Sequence, residues 1–335
     1  MIQEPFRIDV HHHIVPPEYV ATLTALGMKG GGGIDFPYWD PQSSLSMMDR
    51  QGIATAITSL PTLDDYLGNH ALTRDLARRY NDYSANLVHT YPQRFGAFAA
   101  LPLPDVDAAL LELEYALDTL HLDGVILMSS YEGQYLGDPA FEDVFIELNR
   151  RKAVVFVHPT VPLNDRVSPI PLPVGTLEFV FDTTRAVVNL AARGTLMRCP
   201  DLRIILSHAG GTLPYLAERI AGVISMVDKE GKPITIRGVG EVQQILGEMQ
   251  NVTAALQRLY YDTALSASPY IFRSLQELVQ PSQILFGSDY PWANEMISAF
   301  TIRGIAQYDG FNNQTRKIIE RENTLALFPR LKEQG

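Results

Sequence analysis

The sequence predicts a (β/α)8 barrel, of the TIM type that metal-dependent enzymes use, from three observations: short apolar strand segments, several of them apolar throughout, amphipathic helical patterns between them, and a count of eight strands. The strands are Ile8–His13, Thr55–Leu60, Phe95–Leu101, Gly124–Met128, Val154–His158, Ile204–His208, Leu259–Asp262 and Ile284–Gly287. Val154-Val155-Phe156-Val157 and Ile204-Ile205-Leu206 carry no polar residue, as parallel strands covered on both faces do. In the helical stretch Ala108–Leu120, Leu110, Leu113, Leu117 and Leu120 share a face, with Glu112 and Asp118 elsewhere. Asp138-Pro139 reads as an N-cap followed by proline at the first helical position, with Phe141, Phe145 and Leu148 as the buried stripe. Gly30–Gly33 lacks the Lys-Ser/Thr of a phosphate loop and reads as a flexible loop. Ile14–Ser44 and Pro159–Gly175 follow strands and should overhang the C-terminal mouth of the barrel.

The chain has 335 residues, 46% hydrophobic and 19% charged, which suits one well-packed domain spanning residues 1–335. A formal charge of −11 argues against nucleic acid or an anionic membrane as partner, since both want a basic face. It permits a small anionic substrate beside a bound cation. Cys199 is the lone cysteine, so neither an intramolecular disulfide nor a thiolate cluster can form. With no signal-peptide pattern at the N-terminus and no apolar run of membrane-spanning length, the expected location is cytoplasmic.

Chemistry concentrates at strand ends. In Asp9-Val10-His11-His12-His13, alternation along a strand puts His11 and His13 on one face and His12 on the other. His158 ends the fifth predicted strand, His208 the sixth, and Asp289 follows the eighth, so a barrel would gather all of them over one opening. Imidazoles with a carboxylate suit Zn²⁺, Mn²⁺ or Fe²⁺, and the ligand set does not decide among them; zinc is the first expectation and manganese the second. His70, His89 and His121 have no partner pattern. Cys199, before Pro200, reads as buried and inert.

These motifs, together with Val157-His158-Pro159, Ser207-His208-Ala209-Gly210-Gly211, Gly287-Ser288-Asp289-Tyr290-Pro291, Trp39-Asp40-Pro41 and Met48-Asp49-Arg50-Gln51-Gly52-Ile53, resemble the amidohydrolase superfamily in its aminocarboxymuconate-semialdehyde decarboxylase-like branch. The resemblance implies one divalent metal on His11, His13, His158 and Asp289, with His208 as an acid–base group. The binuclear members carry a carboxylated lysine at the end of the fourth strand. Here that end reads Ile126-Leu127-Met128-Ser129-Ser130, which implies a single metal. Leu136-Gly137-Asp138-Pro139 and the stretch from Leu177 to Arg185 look most like 6-methylsalicylate decarboxylase-type enzymes. The substrate arginine of the aminocarboxymuconate enzymes has no counterpart in Gly30–Tyr38, so the likeness does not extend to that substrate. A homodimer or homotetramer is also implied.

The resulting expectation is non-oxidative decarboxylation of a small aromatic acid with an ortho-hydroxyl. Asp289 would act as proton donor, His208 as shuttle, and Phe179, Phe181 and Arg185 as substrate contacts. The same metal site also admits hydrolysis of a lactone or cyclic amide. A non-catalytic barrel is a third reading, which the complete set of acid–base positions disfavours.

Overall fold

Strands buried on both faces satisfy their backbone only by pairing side by side in one sheet, and the eight apolar segments do so. The computed structural model describes residues 6–60, 68–161, 170–228, 231–236 and 238–332. The strands are β1 Arg7–His13, β2 Ile53–Ser59, β3 Phe95–Ala100, β4 Gly124–Met128, β5 Val154–His158, β6 Arg203–Leu206, β7 Tyr260–Asp262 and β8 Ile284–Leu285. They run in chain order, each parallel to the next. Closure comes from β1 meeting the end of the sheet: Val10 N donates to Phe286 O at 3.0 Å and His13 N to Tyr290 O at 2.6 Å. Each crossover carries at least one helix, from Pro41–Gln51 before β2 to Pro269–Leu278 before β8, and Glu295–Gln307 follows β8.

Local chemistry explains where elements begin. Asp40 caps the helix Pro41–Gln51, accepting from Ser43 N at 2.7 Å, while Ser43 Oγ receives the Asp40 N–H; Gly52, at φ 66°, ends the same helix. Asp138 caps a 3-10 turn over Pro139–Phe141 that feeds the helix Glu142–Arg150, and Phe141, Phe145 and Leu148 are buried as their spacing predicts. Inside the barrel, Phe98 stacks on Phe156 at 5.4 Å, and Phe156 meets the His11 ring at 4.9 Å. These aromatics form an apolar floor beneath the mouth.

One expectation differs from the structure. The glycine run is a short hairpin, Gly30–Gly31 paired with Ile34–Asp35, because Gly32 and Gly33 adopt the positive φ (61° and 85°) that a two-residue turn needs. Glu112, off the apolar face of its helix, is buried all the same, because Asn81 and Arg78 donate to it at 2.8 and 2.9 Å. Asn81 also bonds both backbone groups of Ala100, so Glu112 helps hold the end of β3.

At Gly124 the chain passes so close to β5 that a Cβ would lie 2.3 Å from the Val154 carbonyl oxygen. Gly124→Ala should therefore lower stability by about 1–3 kcal/mol in urea unfolding. An unchanged midpoint would contradict this packing.

Candidate metal centre and active site

Strand alternation separates the three consecutive histidines. His12 turns outward, where its Nδ1 meets Asp9 at 3.0 Å, its Nε2 meets Ser44 Oγ at 2.7 Å, and its ring packs on Tyr290. His11 and His13 turn to the mouth with their Nε2 atoms 2.9 Å apart. Asp289, from the segment after β8, brings Oδ1 to 3.2 Å from His11 Nε2 and 3.1 Å from His13 Nε2. His158, ending β5, completes the group: its ring lies 5.3 Å from that of His11 and 5.0 Å from that of His13. One donor atom from each of His11, His13, His158 and Asp289 falls within 4.8 Å of all the others, and all four residues are buried.

Donors so packed suit a cation. Tetrahedral bonds of about 2.0–2.1 Å imply ligand–ligand edges of roughly 3.3 Å, close to the separations among His11, His13 and Asp289. The tautomers agree. His11 Nδ1 donates to Asp262 Oδ2 at 2.6 Å, His158 Nδ1 to Pro159 O at 2.8 Å, and His208 Nδ1 to Ala264 O at 3.1 Å. Carboxylates and carbonyls only accept, so each Nδ1 carries a proton, and Nε2 is the nitrogen that a neutral ring would offer to a cation. His13 Nδ1 pairs with Ser59 Oγ at 2.9 Å.

Electrostatics sort the group further. Burial works against charging His11, but Asp262 and Asp289 outweigh it and hold its pKa up at about 10. Burial, with the charge of His11, presses His13 down to about 4 and His158 well below the usual histidine range. His208 is lowered by burial and by His11. Burial alone would raise Asp289; the His11 charge and the bonds from His11 and His13 override it and keep that carboxyl well below its usual range.

His208 sits on a sharp turn after β6, where His208, Ala209, Gly210 and Gly211 all have positive φ (52°, 56°, 71° and 65°). Two of these are not glycine, a conformation that costs of order 1 kcal/mol or more per residue and persists only where neighbours enforce it. Gly211 admits no side chain, since a Cβ would meet Val180 O at 1.9 Å. The turn brings the His208 ring to 5.0 Å from His11 and 5.9 Å from His158.

Above this group opens a cavity of about 390 Å³, lined by His158, His208 and Asp289 and walled by Phe179, Leu265 and Trp292. Gly31, Ile34, Pro159 and Pro173 also line it, so both long loops do overhang the mouth; residues 162–169 lie outside the described residues. No lysine or arginine is among the described lining residues. Phe179 stands 6.0 Å from the His158 ring. Of the other two expected substrate contacts, Phe181 is 46% exposed, Arg185 lies over the Tyr135 ring at 5.6 Å, and neither is among the described cavity-lining residues. Both share the helix Glu178–Ala192 with Phe179, and at about 100° per residue they fall on its other side. Tyr290 also turns away from the cavity, whereas Trp292 faces it. His70 forms a surface pair with Glu132 at 2.9 Å.

Two buried carboxylates escaped the sequence reading. Asp262 ends β7, and the strand-end logic that singled out His158 and His208 would have found it. Asp182 is held by Ser129 Oγ, by Tyr135 OH at 2.6 Å and by Thr160 N at 3.2 Å. Ser129, at the position of the expected lysine's absence, is thereby committed to structure, and His11, His13, His158 and Asp289 are the one metal-competent group among the described residues.

The amidohydrolase family profile matches residues 8–330. Decarboxylase yanB of Aspergillus niger is 38% identical, with 97% of this chain and 88% of that one covered. 6-Methylsalicylic acid decarboxylase of Penicillium expansum is 36% identical, with 97% of each chain covered. A solved structure described as amidohydrolase II is 30% identical, with 96% of this chain and 99% of that chain covered and a TM-score of 0.85.

With His11 raised to about 10, a metal entering at neutral pH must displace one proton. Apparent metal affinity should therefore rise about tenfold per pH unit between roughly pH 6 and 8. Chelator competition across that range measures it, and a flat profile would contradict the assignment.

Proposed function

Because the chain belongs to the amidohydrolase family, we propose that it is a metal-dependent, non-oxidative decarboxylase of an aromatic 2-hydroxy carboxylic acid of the 6-methylsalicylate or salicylate kind, releasing CO₂. It is a carboxy-lyase of that family. The observation that carries the reading is the placement of three imidazoles and a carboxylate at the floor of an apolar, aromatic-walled cavity with His208 beside them. His11, His13, His158 and Asp289 would hold the ion, with zinc our first choice and manganese second, since zinc binds such N/O sites more tightly. When bound, a divalent ion supplies Lewis-acid charge that orients a carboxylate and its ortho-oxygen.

The remaining steps belong to the chain. Asp289 takes the ortho-hydroxyl proton as the substrate settles. Asp289 stands within reach of that proton because it lines the cavity. It gives the proton to the ring carbon bearing the carboxylate; the C–C bond then breaks, its electron pair restores the aromatic ring, and CO₂ leaves. His208, with Nδ1 fixed on Ala264 O, presents Nε2 to return a solvent proton to the product oxygen. Phe179 and the other apolar walls exclude water and pack on the ring. With no lysine or arginine among the described lining residues, a second substrate carboxylate would find no counter-charge there, which favours a mono-acid.

The reading extends to a single 1–335 catalytic unit acting in the cytoplasm as a homodimer or homotetramer. No helix among the described residues is long and apolar enough to cross a membrane. The exposed Val239, Val242 and Leu246, spaced along one helix, support self-association.

Incubation with a series of 2-hydroxybenzoates beside a lactone panel should release CO₂ from the former and leave the latter intact; lactone turnover without CO₂ would overturn the proposal. His208→Ala should retain metal while kcat falls about 10²–10⁴-fold. Wild-type turnover in that variant would remove His208 from the mechanism.

A further inference from the structure

One fully buried carboxylate serves two separate parts of this site. Asp262 Oδ2 accepts from His11 Nδ1 at 2.6 Å, while Oδ1 accepts from the backbone N–H of His208 at 2.8 Å and of Ala264 at 3.0 Å. Among the described residues no lysine or arginine pairs with it, so a buried charge is sustained by an imidazole and two backbone amides. The neighbouring strand makes room for the contact: a Cβ on Gly287 would lie 2.8 Å from His11 Cβ and 3.2 Å from Asp262 Cβ.

We propose that Asp262 is a positioning residue that sets both the metal-facing nitrogen of His11 and the placement of His208, a role that rests on the metal centre proposed above. Every group directed at Asp262 is a donor, and a carboxylate answers all of them because it has only acceptors. On His11 this keeps a proton on Nδ1, so that Nε2, which faces Asp289 and His13, is the nitrogen left to bind a cation. On the other side it ties down the turn in which His208 and Ala209 stand at φ 52° and 56°.

Asparagine has the same shape and one acceptor, so it cannot serve both sides. With its NH₂ toward His11, the ring must move its proton to Nε2 and close the lone pair. With its NH₂ toward the turn, two backbone N–H groups lose their acceptor where the backbone is strained.

Asp262→Asn, compared with the unaltered chain, tests this with zinc alone, by chelator competition. Affinity should weaken by about 10–100-fold. At saturating metal, kcat should fall at least about tenfold with KM changing less, as displacement of an acid–base group requires. Zinc affinity and kcat both within about twofold of the parent would overturn the proposal and leave the metal centre standing. A parent chain that binds no zinc would overturn both. Should the variant not fold, nitrogen-15 NMR of the unaltered, zinc-loaded protein decides: a proton on Nδ1 of His11 supports the role, and a proton on Nε2 refutes it.

Discussion

The closing seam of the barrel and the heart of the site are the same few hydrogen bonds. Asp289 N donates to His11 O at 2.7 Å, and His13 N donates to Tyr290 O at 2.6 Å, so the backbone that joins first strand to last also fixes where those side chains meet. Asp9 clamps this seam from beneath: its carboxylate accepts from His11 N at 3.1 Å, Ser288 N at 3.0 Å and His12 Nδ1 at 3.0 Å. A fold that failed to close would therefore lose the site outright. Closure orients the proposed ligands before any ion arrives, which lowers the ordering cost of binding.

That coupling explains which parts could be read from sequence. The eight strands show in the sequence because burial on both faces leaves them apolar, and their observed ends fall within two residues of the predicted ones. His11, His13, His158, His208 and Asp289 show because chemistry collects at strand ends, and the structure gathers all five. What stayed hidden depends on contacts between distant segments. The burial of Glu112 could not be read locally, because its partners Asn81 and Arg78 lie on another helix. Phe181 and Arg185 were expected at the substrate from the likeness of the stretch from Leu177 to Arg185; the structure places them on the side of their helix away from Phe179. Asp262 was passed over in a segment read only as a strand, since its function comes from His11, far away in the chain.

The electrostatic design reconciles an anionic protein with an anionic substrate. The chain carries −11 overall, and the described cavity walls offer no cationic side chain. Among the described residues the positive charge that would draw a carboxylate lies at the floor, where burial keeps His13, His158 and His208 neutral, as the proposed ligand and proton-carrier roles require. An apolar wall beside such a floor rewards a flat, singly charged aromatic molecule. It also limits water that would compete for the proton bound for the ring carbon.

The account stands on a single ion held by three imidazoles and one carboxylate. X-ray absorption spectroscopy of the purified protein, joined to elemental analysis, examines that directly. One equivalent of divalent metal per chain should appear, with nitrogen and oxygen neighbours, outer-shell scattering from about three imidazoles and no sulfur. Full turnover in metal-free protein, or two ions per chain, would contradict it.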